Sequence, residues 1–162
     1  MRLLDSEWAA TRSLAVREIR KRGWAHDLLP ALLERAGHEE DESVLGFIAL
    51  ALRDLKDPRT TETLWRFLED GSDMVQMTAL QGLSLLGDDR VIPIAIAWYE
   101  SRDSSLESRA KRSVAIFDLR LLRSREGDKA ITDLLAAESS WRRRRLIRRS
   151  SRRAKRWIAS HA

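Results

Sequence analysis

The sequence predicts an all-α fold, a short α-solenoid of about four helix pairs followed by a basic C-terminal capping helix. Three observations lead to this prediction. Apolar residues recur at helical spacing through most of the chain, one frame of residues returns about every 31 positions, and strand-like alternation is absent. A period near thirty with two helices in each unit is typical of stacked helical repeats.

The repeated frame is clearest from Asp70 to Pro93, which holds one helix, a break and the start of a second helix. Asp73 is the predicted N-cap of the first helix, Gly87 ends it, and Asp88 or Asp89 is suited to cap the next one. Three sets of residues occupy equivalent places in successive repeats: Val44, Ile48, Leu52 and Leu55; Val75, Ala79, Leu83 and Leu86; and Leu106, Ala110, Ser113, Val114 and Phe117.

The helices are expected to form four pairs and a final single helix. The predicted bounds are 6–22, 27–36, 41–55, 57–69, 73–86, 89–101, 104–121, 128–138 and 140–160. Asp57-Pro58 supplies a cap followed by proline at the first helical position. The segment from Arg123 to Asp128 is expected to be a charged loop. The inward side of the first helix is predicted to carry Trp8, Thr11, Ala15 and Ile19.

The motif Val75-Gln76-x-x-Ala79-x-x-Gly82-Leu83, followed by Leu86-Gly87-Asp88, resembles the first helix and turn of a HEAT repeat. The resemblance is closest to the short bacterial HEAT-like type also found in phycobilisome lyases. It covers about 41–137 and extends to 6–37, although Val44-Leu45 and Val75-Gln76 stand where the family usually has a Val-Arg pair. It implies a HEAT-like architecture and a protein that binds other macromolecules.

The composition, 43% hydrophobic and 34% charged in 162 residues, favours a helical globular protein over a disordered one. The chain has no cysteine, which excludes disulfides, thiol nucleophiles and cysteine metal sites. The first residues lack an apolar run long enough for a signal peptide, and no stretch approaches the length of a membrane span. We therefore expect a cytoplasmic protein.

The net charge of +5 conceals an uneven distribution along the chain. Residues 1–138 carry 20 Lys and Arg against 25 Asp and Glu, whereas residues 139–162 carry ten Lys and Arg and no acid. We accordingly divide the chain into a HEAT-like solenoid, 1–138, and an Arg-rich amphipathic helix, 139–162, packed on the solenoid or extending from it. Such asymmetry indicates an interaction segment for an anionic partner.

One candidate binding surface comes from the second helices of the repeats, which line the concave face in HEAT solenoids. The resemblance therefore implies a protein-binding face, and its candidate residues are Thr61, Trp65, Ile92, Ile96 and Tyr99. Large aromatic and aliphatic side chains on such a face are suitable anchors for a partner helix or peptide. The alternative is that Ile92 and Tyr99 pack between adjacent repeats, which leaves little of them exposed.

The C-terminal segment is the second candidate surface. Its ten cations, interleaved with Trp141 and Trp157, are Arg142, Arg143, Arg144, Arg145, Arg148, Arg149, Arg152, Arg153, Lys155 and Arg156. Guanidinium forks suit phosphates and tryptophan can stack on a base, so nucleic acid or another polyanion is a candidate partner. The alternatives are a helix that only caps the last repeat, docking on the acidic loop 39–42 or on a neighbouring subunit, and the less favoured membrane surface.

Signals for catalysis are weak, and we predict a non-catalytic protein. His26, His38 and His161 have no carboxylate or cysteine at metal-ligand spacing, so no metal is expected. GxxxxGK, GxGxxG and GxSxG motifs are missing, and we expect no cofactor and no small-molecule substrate. The resemblance leaves two remote enzymatic alternatives: bilin attachment, and a HEAT-like DNA glycosylase with Trp65, Trp98 and Arg66 in its cleft.

Overall fold

The computed structural model describes residues 2–101 and 103–161, and these residues form nine α-helices and no strand. The helices are α1 Ala9–Lys21, α2 Leu29–His38, α3 Glu42–Leu55, α4 Thr61–Asp70, α5 Asp73–Leu85, α6 Ile92–Glu100, α7 Leu106–Leu121, α8 Arg125–Ala137 and α9 Trp141–Ser160. Short 3-10 turns at Arg2–Asp5, Pro58–Thr60 and Asp89–Val91 precede α1, α4 and α6. The predicted all-α class, with four successive helix pairs and a ninth helix, is confirmed.

The helices group into two compact units, one ending at Leu83 and the other beginning at Ser84, so the division falls in the last turn of α5. In the first unit α3 packs against α1, α2 and α4. In the second unit α7 packs against α6, α8 and α9. The proposed division of the chain between 1–138 and 139–162 stays a prediction.

The 31-residue period is visible in the turns that lead into α4 and α6. Asp57 accepts a hydrogen bond from the backbone N–H of Arg59 at 2.9 Å, and Asp88 accepts one from the N–H of Arg90 at 3.1 Å. Each aspartate also pairs with the guanidinium of that arginine at 2.6 Å. The same capped turn is therefore built twice, because both copies place a short acceptor two residues before a backbone donor.

Each unit has its own apolar core. In the first unit the fully buried large side chains are Val16, Leu29, Leu32, Val44, Ile48, Leu52, Leu64, Leu80 and Leu83. In the second unit they include Ile116, Leu119 and Ile147. Val44, Leu52 and Leu83 lie on the predicted helical stripes, which shows that the apolar period read from the sequence marks the buried side of α3 and α5.

Three local predictions were wrong. α8 begins at Arg125 and not at 128, because the Ser124 hydroxyl accepts the N–H of Gly127 at 3.0 Å and starts the helix earlier. α2 begins at Leu29 and runs through Gly37 to His38, with no side-chain cap from Asp27. Trp8 was predicted to face inward, but it lies just before α1 and its side chain is 75% exposed.

None of the helices in the described part of the chain combines the length and the apolar composition that a bilayer crossing requires.

Candidate functional sites

The inner side of α9 is fixed to the second unit by a narrow strip of side chains. Ile147, Ser150, Ser151 and Ala154 are buried, and they follow one another at helical spacing. Arg120 of α7 donates from Nε to the Ser151 hydroxyl at 3.2 Å, and the rings of Phe117 and Trp157 meet edge to face with centroids 6.4 Å apart. Small side chains in this strip let α9 lie close to α7.

The outer side of α9 is almost entirely cationic. Nine of the ten predicted polyanion-binding residues are exposed, and Arg143 is half-buried. Arg143 lies 3.8 Å from Glu138, whereas the other nine cations have no carboxylate of the described residues within ion-pairing distance. Arg144 donates to the Leu135 carbonyl at 3.2 Å, and Arg152 donates to the Arg148 carbonyl at 3.2 Å. The structure thus places nine of the ten predicted cations on the exposed half of the helix.

Elsewhere in the protein many arginines are neutralised by carboxylates. Ion pairs at 2.6 to 2.9 Å join six arginines to the four carboxylates of Glu39, Asp54, Asp57 and Asp88; the arginines are Arg12, Arg20, Arg35, Arg53, Arg59 and Arg90. The Arg120–Asp128 pair links α7 to α8 in the same way. The charge of these arginines is balanced by nearby carboxylates. Within the described residues, most of the positive charge of α9 is not.

Three aromatic contacts accompany the cations, and in one of them the Arg143 guanidinium lies over the Tyr99 ring at 5.9 Å. The Arg145 guanidinium lies over the Trp141 ring at 5.4 Å, and the Arg153 guanidinium lies over the Phe117 ring at 5.9 Å. Trp141 is 69% exposed, while Trp157 is half-buried and stacks on His161 at 4.3 Å. Of the two tryptophans in the predicted segment, Trp141 is therefore the one with an open ring face.

Tyr99 of α6 supports the loop that leads into α9. Its side chain is 2% exposed, and its hydroxyl donates to Glu138 at 2.9 Å. Burial raises the pKa of Tyr99, and the hydrogen bond to the Glu138 carboxylate raises it further. The N–H of Ser140 lowers the pKa of Glu138, as do the Tyr99 hydroxyl and the nearby Arg143, against the effect of desolvation. Tyr99 therefore holds this loop from below the surface.

The other predicted protein-binding residues keep part of their surface open. Thr61 and Trp65, one turn apart on α4 of the first unit, are half-buried, and the Thr61 hydroxyl donates to the Pro58 carbonyl at 2.7 Å. Ile92 and Ile96, one turn apart on α6 of the second unit, are also half-buried. Each pair offers apolar surface on one side of its own helix.

One feature of the first unit was not predicted from the sequence. A groove of about 550 Å³ lies between α1 and the start of α3, lined by Ala9, Ala10, Ser13, Leu14, Arg17, Asp41, Ser43 and Phe47. The small residues at 9, 10 and 13 form its α1 side. These small residues close together in the sequence indicate a shallow helix surface. The groove also needs Phe47 of α3, and only the tertiary structure places Phe47 beside α1.

The acidic loop 39–42 is largely engaged by its own surroundings. Glu39 accepts hydrogen bonds from Arg12 at 2.7 and 2.8 Å and from Arg35 at 2.9 Å. Asp41 caps α3 by accepting the N–H groups of Ser43 and Val44. Within the described residues, no three His, Asp or Glu side chains gather in an arrangement that could hold a metal ion.

Successive amphipathic helices, a capped turn repeated at a fixed period and a cationic final helix define an α-helical repeat protein. The family model for HEAT repeats matches residues 1–84 and 29–115. The chain belongs to the HEAT-repeat family, and the resemblance found in the sequence is confirmed. A comparison with curated proteins finds no match. The family match ends before α9, so the cationic helix lies outside the part of the chain that the family describes.

Proposed function

We propose that this HEAT-repeat protein acts in the cytoplasm as a non-catalytic adaptor that binds a protein partner through the second helices of its repeats. HEAT repeats commonly serve as protein-interaction scaffolds, which supports this assignment. The observation that carries the choice of surface is the partial exposure of Trp65 on α4, with Thr61 one turn before it. Tryptophan is enriched among residues that dominate binding energies.

We propose the same role for Ile92 and Ile96 of α6. Their half-buried side chains leave apolar surface that a partner helix or peptide can contact. Tyr99 is buried and donates a hydrogen bond to Glu138, so in this proposal it supports the surface and does not contact the partner directly.

The test starts by cross-linking the full chain to its partners, identifying them, and titrating each purified partner calorimetrically. Trp65→Ala is expected to weaken the relevant partner about thirtyfold, the loss typical of a central aromatic anchor. Trp24→Ala, which removes a 48% exposed tryptophan from the loop before α2, is the matched control and should change the affinity little. Unchanged affinity of every purified partner for the Trp65 variant would contradict the proposal.

A second candidate function is polyanion binding by α9, and it is favoured by the nine exposed cations without a carboxylate partner among the described residues. The apolar strip of α9 is buried on α7, so its outward side has little apolar surface to insert into a bilayer. This favours a water-soluble polyanion over a membrane. The two candidate functions use different helices and are compatible in one adaptor.

A further inference from the structure

We propose that the polyanion bound by α9 is double-stranded DNA, held with α9 in the major groove and its cations on the phosphates of both groove walls. This inference rests on the proposed polyanion-binding function of α9. It adds the class of nucleic acid, the groove that α9 occupies and the groups on the DNA that its cations contact.

The shape of α9 suits the major groove. Its 20 residues span about 30 Å at 1.5 Å per residue, and an α-helix is about 10–12 Å wide with its side chains. The major groove of B-form DNA is about 12 Å wide and admits a helix of this width. One turn of the duplex, about 34 Å, is close to the length of α9.

The cations cover the sides of α9 that would meet both walls of a groove. At 100° per residue, a central row runs along the side opposite the buried strip, through Arg145, Arg149, Arg152 and Arg156. Arg144, Arg148 and Lys155 lie on one flank of this row, and Arg142 and Arg153 lie on the other. Together they occupy about half of the circumference, so both phosphate walls are within reach of a helix lying between them.

The outward residues of α9 suit phosphates and, among base edges, guanine alone. Between Arg142 and Arg156 every exposed side chain is Arg or Lys, and the segment contains no Asn or Gln to pair with adenine. Guanidinium groups bind phosphate oxygens in fork geometry. We therefore expect binding that tolerates many base sequences.

Other nucleic acids fit less well. Proteins that bind single strands stack successive bases on several aromatic side chains, whereas α9 offers the open face of Trp141 and holds Trp157 half-buried against Phe117 and His161. The major groove of an RNA duplex is deep and narrow, and side chains do not enter it readily. DNA in B form remains the nucleic acid whose groove matches α9.

The helix is also ordered before it binds. Ile147 and Ala154 are fully buried, and Arg120 bonds Ser151, so the backbone of α9 is held by contacts on the side away from the proposed ligand. A preformed helix avoids the entropy loss of folding on the DNA.

The proposal is tested by fluorescence anisotropy with the full chain and a labelled duplex of about 20 base pairs, about two helical turns. The same sequence as single-stranded DNA and as duplex RNA provides the comparison, at salt concentrations from about 50 to 200 mM. The test variant is Arg142→Gln, Arg148→Gln, Arg153→Gln and Lys155→Gln together, which removes two exposed cations from each flank. The matched control is Arg17→Gln, Lys21→Gln, Arg109→Gln and Lys129→Gln, four exposed cations outside α9.

The expected result is that duplex DNA binds at least about tenfold more tightly than the other two nucleic acids, with a strong salt dependence. Loss of four phosphate contacts should reduce the slope of log affinity against log salt by about 3 to 4 in the test variant. The control variant should keep the wild-type slope and an affinity within about threefold. Circular dichroism should give both variants the helix content of the wild type.

Each contrary result has a defined meaning. Equal affinity for single-stranded DNA or duplex RNA would overturn the assignment to duplex DNA and leave polyanion binding intact. Equal losses in the two variants would show that net charge, and not α9, is responsible. If the wild type binds none of the three nucleic acids nor heparin at low salt, both the inference and the polyanion function fail.

Discussion

The carboxylate of Glu39 shows how a single residue joins elements of the first unit. Its side chain is 1% exposed, and both oxygens accept hydrogen bonds, from Arg12 of α1 and Arg35 of α2 and from the N–H groups of Glu40 and Asp41. Burial alone would raise the pKa of Glu39. The Arg12 hydrogen bond, the Asp41 N–H and the charge of Arg35 outweigh burial and lower this pKa from 4.5 to about 2.

Glu39→Gln is therefore expected to lower the free energy of unfolding at pH 7 by about 3 kcal/mol, because two arginines lose the charge that pairs with them. A depressed pKa stabilises the folded state above the unfolded value and loses this effect as protons bind. The difference between wild type and variant should thus shrink from pH 4.5 down to about pH 2. Urea denaturation followed by circular dichroism across this range measures it.

Glu34→Gln is the matched control, since Glu34 is exposed on α2, the helix that Glu39 directly follows, and it should change stability by less than about 0.5 kcal/mol. Equal stability of the two variants at pH 7 would show that the buried pairing of Glu39 contributes nothing measurable.

At the scale of elements, Gly127 sets the distance between α7 and α8. A Cβ at this position would lie 2.5 Å from the carbonyl oxygen of Leu119 and 3.3 Å from Leu122. The first contact is with helix backbone, which cannot turn away as a side chain can. The glycine therefore permits an approach of α8 to α7 that another residue would prevent.

Gly127→Ala is expected to destabilise the protein by about 3 kcal/mol, because α8 must move or the backbone must strain. Gly46→Ala is the matched control: Gly46 lies inside α3, and a Cβ there meets nothing within 4 Å. The control should stabilise the protein by about 0.5 to 1 kcal/mol through the lower entropy of the unfolded chain. Thermal denaturation measures both, and midpoint shifts of the same sign would contradict the assigned role of Gly127.

At the scale of the whole molecule, charge is divided between the two units. The residues up to Leu83 contain 11 Lys and Arg and 15 Asp and Glu, whereas those from Ser84 contain 19 and 10. Within α9, like charges also stand one turn apart, as in Arg145 and Arg149 or Arg152 and Arg156. Such pairs destabilise a helix, and this cost agrees with the proposed polyanion ligand.

A second α9 variant, with glutamine at 145, 149, 152 and 156, should consequently be more stable than wild type at low salt, by about 1 kcal/mol. Added salt should raise the unfolding midpoint of the wild type relative to this variant, because screening removes the repulsion. Thermal melts of the wild type and this variant at several salt concentrations test the prediction, and the variant with glutamine at 17, 21, 109 and 129 is the control. A less stable α9 variant would mean that the arginines act as packing of the cap.

Short-range patterns explain why much of this fold was predictable. The apolar spacing within each helix, the capped turns at Asp57 and Asp88, and the bounds of α9 depend on residues within about one helical turn of one another. The location of the cations on one side of α9 follows from the same spacing. The errors lie where a local signal was ambiguous, as at Ser124, whose capping role extends α8 into a segment that reads as a charged loop.

By itself, the sequence determined the helical class, the family, the paired order of the helices and the concentration of positive charge in one final helix, because each depends on local spacing and composition. The tertiary structure decided which side chains are accessible. It buried Tyr99 on Glu138, 39 residues away, exposed Trp8, and brought Arg12 to Glu39 across 27 residues. Contacts between residues so far apart depend on how helices pack, and a periodic pattern specifies the inward side of each helix but not the neighbour that it meets.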